Sequence, residues 1–120
     1  MNATINANRN LVESLMPVAV CSLQDLVPGV GLAALVKGQQ VAVFRLRNGD
    51  IYAIGNHDPF SGANVISRGL TGDLKGFKVV ASPIYKQHFD LATGQCLEDE
   101  SVVLPVYAVR VEGDTVSVLV

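Results

Sequence analysis

Turn-forming residues recur about every ten positions and cut the chain into short apolar runs, a spacing that suits an all-β sandwich or barrel. Asn48-Gly49 lies between Val41-Ala42-Val43-Phe44 and Ile51-Tyr52-Ala53-Ile54, and Asn-Gly between strand-like runs is the strongest short-range hairpin signal. Lys37-Gly38-Gln39 turns between the runs at 31–36 and 40–46, and Gly113-Asp114 between those at 106–111 and 115–120. In the 106–111 run Arg110 takes the face that Val109 and Val111 avoid, as strand alternation requires. Residues 17–21 and 77–81 read as further strands, the second ended by Pro83. His88-Phe89-Asp90-Leu91 reads as a short strand closed by Ala92-Thr93-Gly94-Gln95, and Leu23-Gln24-Asp25-Leu26 as one helical turn after Ser22. Residues 56–76 hold Pro59, Gly62, Gly69, Gly72 and Gly76 with no steady period, and read as loop. Residues 1–16 read as a polar tail or arm whose Leu11, Val12, Leu15 and Met16 could dock on a body spanning 17–120.

A chain of 120 residues suits one domain, and 49% apolar residues suffice to fill its core. Only 17% are charged and the net charge is −2, which argues against nucleic acid as a partner. No apolar run approaches the ~20 residues a membrane helix needs. The opening residues lack the basic start and apolar centre of a signal peptide, so a cytoplasmic location is expected. Cys21 and Cys96 are far apart with no C-x-x-C spacing. In the cytosol they read as two reduced thiols, at least one of them buried.

Two segments carry the chemistry. One is Asn56-His57-Asp58-Pro59-Phe60-Ser61-Gly62-Ala63; the other is Ser82-Pro83-Ile84-Tyr85-Lys86-Gln87-His88-Phe89-Asp90-Leu91-Ala92-Thr93-Gly94. The frame resembles the two loops of a Rieske domain, C-P-H-x-G-A and C-P-x-H-G-x-x-F-D-x-x-T-G. Laid on that pattern, the first Cys-x-His falls on Asp58-x-Phe60 and the second Cys-x-x-His on Ser82-x-x-Tyr85. A Rieske centre needs two thiolates on one iron and two imidazoles on the other. Here a carboxylate, a phenyl, a hydroxyl and a phenol stand in those places, and neither an un-ionised phenol nor a phenyl ring is a competent ligand. A packing role is expected instead: Phe60 and Tyr85 filling the vacated volume, Asp58 or Ser82 bonding backbone amides at the loop starts.

Further strings sharpen the resemblance. Asn56-x-Asp58-Pro59-Phe60, Ser67-Arg68-Gly69, residues 81–87 and Cys96-Leu97-Glu98-Asp99-Glu100 are similar to the small subunit of the assimilatory NAD(P)H-dependent nitrite reductase. That resemblance implies a Rieske-like antiparallel β-sandwich with a small loop subdomain over about residues 55–94, and no iron–sulfur cluster. It implies an accessory subunit, inert alone, of a cytoplasmic enzyme that reduces nitrite to ammonium. FAD, sirohaem, an iron–sulfur cluster and the NAD(P)H site are implied on the large subunit.

Other readings are open at this point. A Rieske-type ferredoxin would need cysteine and histidine at 58, 60, 82 and 85. A cofactor-free interaction domain without a reductase partner is the third class. His57, Asp58 and His88 sketch a two-histidine, one-carboxylate metal site, but adjacent residues in an extended loop point apart. No G-x-S-x-G elbow or phosphate-binding glycine motif is present. No catalytic residue is therefore expected. The loops themselves become a candidate contact surface, with Pro59, Phe60, Pro83, Ile84 and Tyr85 as its apolar part and Arg68 and Lys86 as charges beside it. The acidic turn Glu98-Asp99-Glu100 is a second candidate.

Overall fold

Val41-Ala42-Val43-Phe44 is apolar at every position, and a strand without a polar face must be covered on both sides. The computed structural model describes residues 15–120. Their strands are β1 (Pro17–Ser22), β2 (Leu32–Val36), β3 (Gln39–Arg45), β4 (Ile51–Gly55), β5 (Leu70–Leu74), β6 (Phe77–Ala81), β7 (His88–Asp90), β8 (Val106–Tyr107), β9 (Val109–Glu112) and β10 (Thr115–Leu119). Two 3-10 turns, Leu23–Asp25 and Ile66–Arg68, are the only helical segments among the described residues.

Three antiparallel sheets result, in the orders β1-β10-β9, β2-β3-β4-β8 and β5-β6-β7. The first two form the sandwich and the third belongs to the loop subdomain. Val41 and Val43 of β3 point into the sandwich core with Leu26, Val36, Ala53, Val116 and Val118. Ala42 and Phe44, one residue out of phase, point to the other face, as the two-residue period of a strand dictates. There they meet Ile66, Val80, Phe89, Leu91, Cys96 and Leu104 beneath the subdomain. The central sheet thus carries a core on each face, and the subdomain is anchored through the second.

Several expectations are refined. Asn48-Gly49 does join β3 to β4, but through Arg47-Asn48-Gly49: Gly49 N–H bonds Leu46 O, Leu46 N–H bonds Asp50 O, and only Gly49 has positive φ. That is a type I turn with a bulge. Two-residue turns with positive φ at both positions occur instead at Lys37-Gly38 and Lys75-Gly76. The second of these closes a hairpin inside the stretch read as loop. Strand β5 was hidden because Gly72 and Asp73 are poor strand formers, and its ladder comes from β6, paired from Leu70↔Ala81 to Leu74↔Phe77. The run at 106–111 is two strands: β8 pairs with β4 and β9 with β10, so the chain changes sheets at Ala108. Of the expected arm, residues 1–14 lie outside the described residues. Met16 exchanges backbone bonds with Val120, while the side chains of Leu15 and Met16 are exposed rather than docked.

Candidate functional site

Strand β4 delivers the first loop and β6 the second. The first is rooted by Asn56, whose side chain is buried. Its Oδ1 accepts the Ser67 N–H at 2.7 Å, and its Nδ2 donates to Gln40 Oε1 at 3.1 Å and to Asn64 O at 3.4 Å. One amide therefore ties the start of the loop to its return.

Asp58 is fully buried, and nearly every polar atom it carries is used. Its backbone N–H donates to Ala63 O, and its carbonyl accepts the Gly62 N–H. Oδ1 accepts the Phe60 N–H at 2.9 Å, while Oδ2 accepts the Ser61 hydroxyl at 3.0 Å and the Ser82 hydroxyl at 2.6 Å. Ser61 Oγ in turn accepts the Ala63 N–H at 3.3 Å. Burial pushes the Asp58 carboxyl up, but the bonds from Ser82, Phe60 and Ser61 outweigh it and hold the group below the usual carboxylate range. A buried acid with this many donors is an anion at neutral pH.

Ser82 is also buried. Its N–H donates to Gln87 O, and its Oγ accepts the Ile84 N–H at 3.3 Å. The two positions aligned with the Rieske cysteines are therefore joined to each other by a hydrogen bond, and each also caps amides of its own loop. The aligned histidine positions behave differently from one another. The partly buried Phe60 packs on the subdomain core, its ring 6.3 Å from that of Phe89 at 45°. Tyr85 does not fill the vacated volume as expected; it is 61% exposed. The turn around Lys86, which has a φ of 64°, carries the phenol outward. Ile84 is 44% exposed beside it, and Pro59, Pro83, Lys86 and Arg68 lie at the surface. Arg68 ends the turn next to Gly69, whose backbone packs against Ala81 O at the root of the second loop.

His57, Asp58 and His88 do not converge. His57 Nδ1 lies 3.0 Å from Asn64 Oδ1. His88 is gripped by Glu98, which accepts its backbone N–H at 2.7 Å and faces its ring Nδ1 at 2.7 Å. Burial raises the Glu98 carboxyl, but these contacts with His88 bring it below the ordinary glutamate range. Among the described residues no group of three His, Cys, Asp or Glu side chains is arranged to hold a metal. Cys96 is buried and Cys21 half-buried, both as free thiols. In the acidic turn Asp99 bonds Ser101, and the Gln95 amide gathers the carbonyls of Cys96, Asp99, Glu100 and Val102.

Sequence reasoning missed Asn56 and Ser61 as organisers. A signal for Ser61 was present: Asp58-Pro59-Phe60-Ser61-Gly62 and Asp90-Leu91-Ala92-Thr93-Gly94 share Asp-x-x-(Ser/Thr)-Gly. Asn56 had no comparable local sign, because its burial depends on Gln40 and Ser67.

Fold and loops together define a Rieske-like domain. The profile of the family described as Rieske-like [2Fe-2S] domain matches residues 17–119. The [2Fe–2S] centre of that description does not fit the residues present. Asp58 and Ser82 are spent on each other, and Phe60 and Tyr85 are no substitute for imidazoles. The nitrite reductase (NADH) small subunit of Salmonella typhimurium is 45% identical over 98 residues, 81% of this chain and 91% of that one. A solved structure from Mycobacterium tuberculosis, described as an NADH-dependent nitrite reductase small subunit, superposes with a TM-score of 0.85 at 45% identity, covering 88% of this chain and 96% of that one. A segment of the nitrite reductase [NAD(P)H] large subunit of Klebsiella oxytoca is 39% identical over 98 residues, which is 82% of this chain and 10% of that one. The chain belongs to the nitrite reductase small-subunit family of Rieske-like domains.

Proposed function

We propose that this chain is the accessory subunit of a cytoplasmic NAD(P)H-dependent nitrite reductase and that its two-loop tip docks on the large subunit. The observation that carries the partnership is the Klebsiella oxytoca large subunit, which holds a homologous segment within its own polypeptide. Fusing two modules raises their effective concentration and favours pairs that already work together. FAD, sirohaem, an iron–sulfur cluster and the nicotinamide site belong, on this reading, to the large subunit. Among the described residues no helix is long and apolar enough to cross a membrane.

The tip suits a contact surface. Ile84, Tyr85, Pro59 and Pro83 present apolar area, and Lys86 stands next to them. An apolar centre with a polar rim is the usual anatomy of a protein interface. Arg68 and Lys86 favour carboxylates on the partner. Nitrite reduction by the large subunit should rise when this chain is added, and Ile84→Asp should abolish co-purification of the two. Equal nitrite turnover with and without the chain would remove the accessory role. Undiminished co-purification of Ile84→Asp would remove the tip.

A further inference from the structure

Hydrogen bonds run without a break from one loop to the other. Ile84 N–H donates to Ser82 Oγ, the Ser82 hydroxyl to Asp58 Oδ2, and the Ser61 hydroxyl to that same Oδ2, while Ser61 Oγ accepts Ala63 N–H. Among the described residues a single hydrogen bond crosses between the loops, Ser82 to Asp58 at 2.6 Å. It ends on the buried Ser82, two and three residues before the exposed Ile84 and Tyr85.

The first loop does not need that bond. Its turn closes through Phe60 N–H, Ser61 Oγ and the Gly62 N–H. The turn at Asp90 closes with the equivalent set: Ala92 N–H to Oδ1, the Thr93 hydroxyl to Oδ2 and Gly94 N–H to the carbonyl. The contact from Ser82 is the addition that distinguishes Asp58. Stability alone does not call for it either, since replacing both partners of a buried hydrogen bond by apolar groups of like shape is close to neutral. What the pair adds is a fixed relation between the loops. The left-handed backbone of Lys86, a strained conformation for a side-chain-bearing residue, is kept only where its surroundings hold it.

We infer that Asp58 and Ser82 are positioning residues: their bond fixes the second loop on the first and presents Ile84, Tyr85 and Lys86 already in the arrangement the large subunit binds. This rests on the tip-docking reading above. Binding to a preorganised surface avoids the entropy of ordering it.

Ser82→Ala removes the crossing bond and the acceptor of Ile84 N–H, and leaves the first turn's own bonds intact. Calorimetric titration of the full chain with the large subunit should show Ser82→Ala binding about ten-fold more weakly, with the loss in the entropy term. Amide exchange in the free chain should quicken at Ile84 to Gln87 and stay unchanged at Phe60 to Ala63. A merely structural role, loss of the Ile84 N–H acceptor included, would quicken exchange at Ile84 alone and leave the entropy of binding unmoved. If Ile84→Asp abolishes binding while Ser82→Ala binds like the parent, the positioning role is overturned and the docking face stands. If Ile84→Asp binds like the parent, both fall. Should Ser82→Ala not fold, Ser82→Cys, a weaker donor of similar size, is read by the same two measurements.

Discussion

Asp58–Ala63 and Asp90–Gln95 trace the same turn, each with an aspartate accepting the N–H two residues on, a hydroxyl one residue further, and a glycine of positive φ, 77° at Gly62 and 82° at Gly94. Their surroundings differ. Gly94 lies against Leu104, where an added Cβ would sit 1.9 Å from the Leu104 carbonyl oxygen; at Gly62 nothing comes within 4 Å. Asp58 in turn takes the Ser82 hydroxyl. One local motif is thus pressed into the core at the base of the subdomain and used as a tie at its tip. The hydrogen bonds of a turn do not reveal its role; the atoms outside the turn do.

The sharpest way to break that comparison is at the two glycines. Gly94→Ala should cost on the order of 4 kcal/mol, from a left-handed alanine plus a backbone clash, whereas Gly62→Ala should cost about 1 kcal/mol from the backbone alone. Urea unfolding measures both, and equal losses would mean that contact with Leu104 is not what separates the turns. Next in size are the aspartates. Asp58→Ala strands the buried Ser82 hydroxyl as well as the turn donors and should cost about 3 kcal/mol, against about 2 kcal/mol for Asp90→Ala. A larger loss at Asp90 would deny the crossing bond its weight.

The smallest effect is on acid stability. A carboxyl held below its unfolded pKa of about 3.9 adds stability that is complete above that pH. That stability is lost as pH falls through the lower folded value. Burial opposes ionisation of Asp58, but its donors prevail. Unfolding between about pH 4 and the lower folded pKa should therefore be steeper for the parent than for Asp58→Asn. Parallel pH profiles would place the charge of Asp58 outside the stability of the tip.

The chain announces its hairpins because turns are made by neighbouring residues. Glycine at 38, 49 and 113 beside short apolar runs suffices for three of them. The hairpin at Lys75-Gly76 escaped because Leu70–Leu74 has little strand preference of its own and is a strand only against β6. Nor can a run of alternating residues report that it changes sheets, as 106–111 does at Ala108.

The same division holds at the tip. That positions 58, 60, 82 and 85 lack thiolates and imidazoles is written in the side chains themselves, because a ligand's chemistry does not depend on where it is placed. What those side chains do instead was decided by closure of the fold. The Ser82 hydroxyl meets a carboxylate 24 residues away, Phe60 turns in against Phe89 and Tyr85 turns out to solvent. Such contacts join residues distant along the chain, and the sandwich and subdomain must assemble before any of them exists.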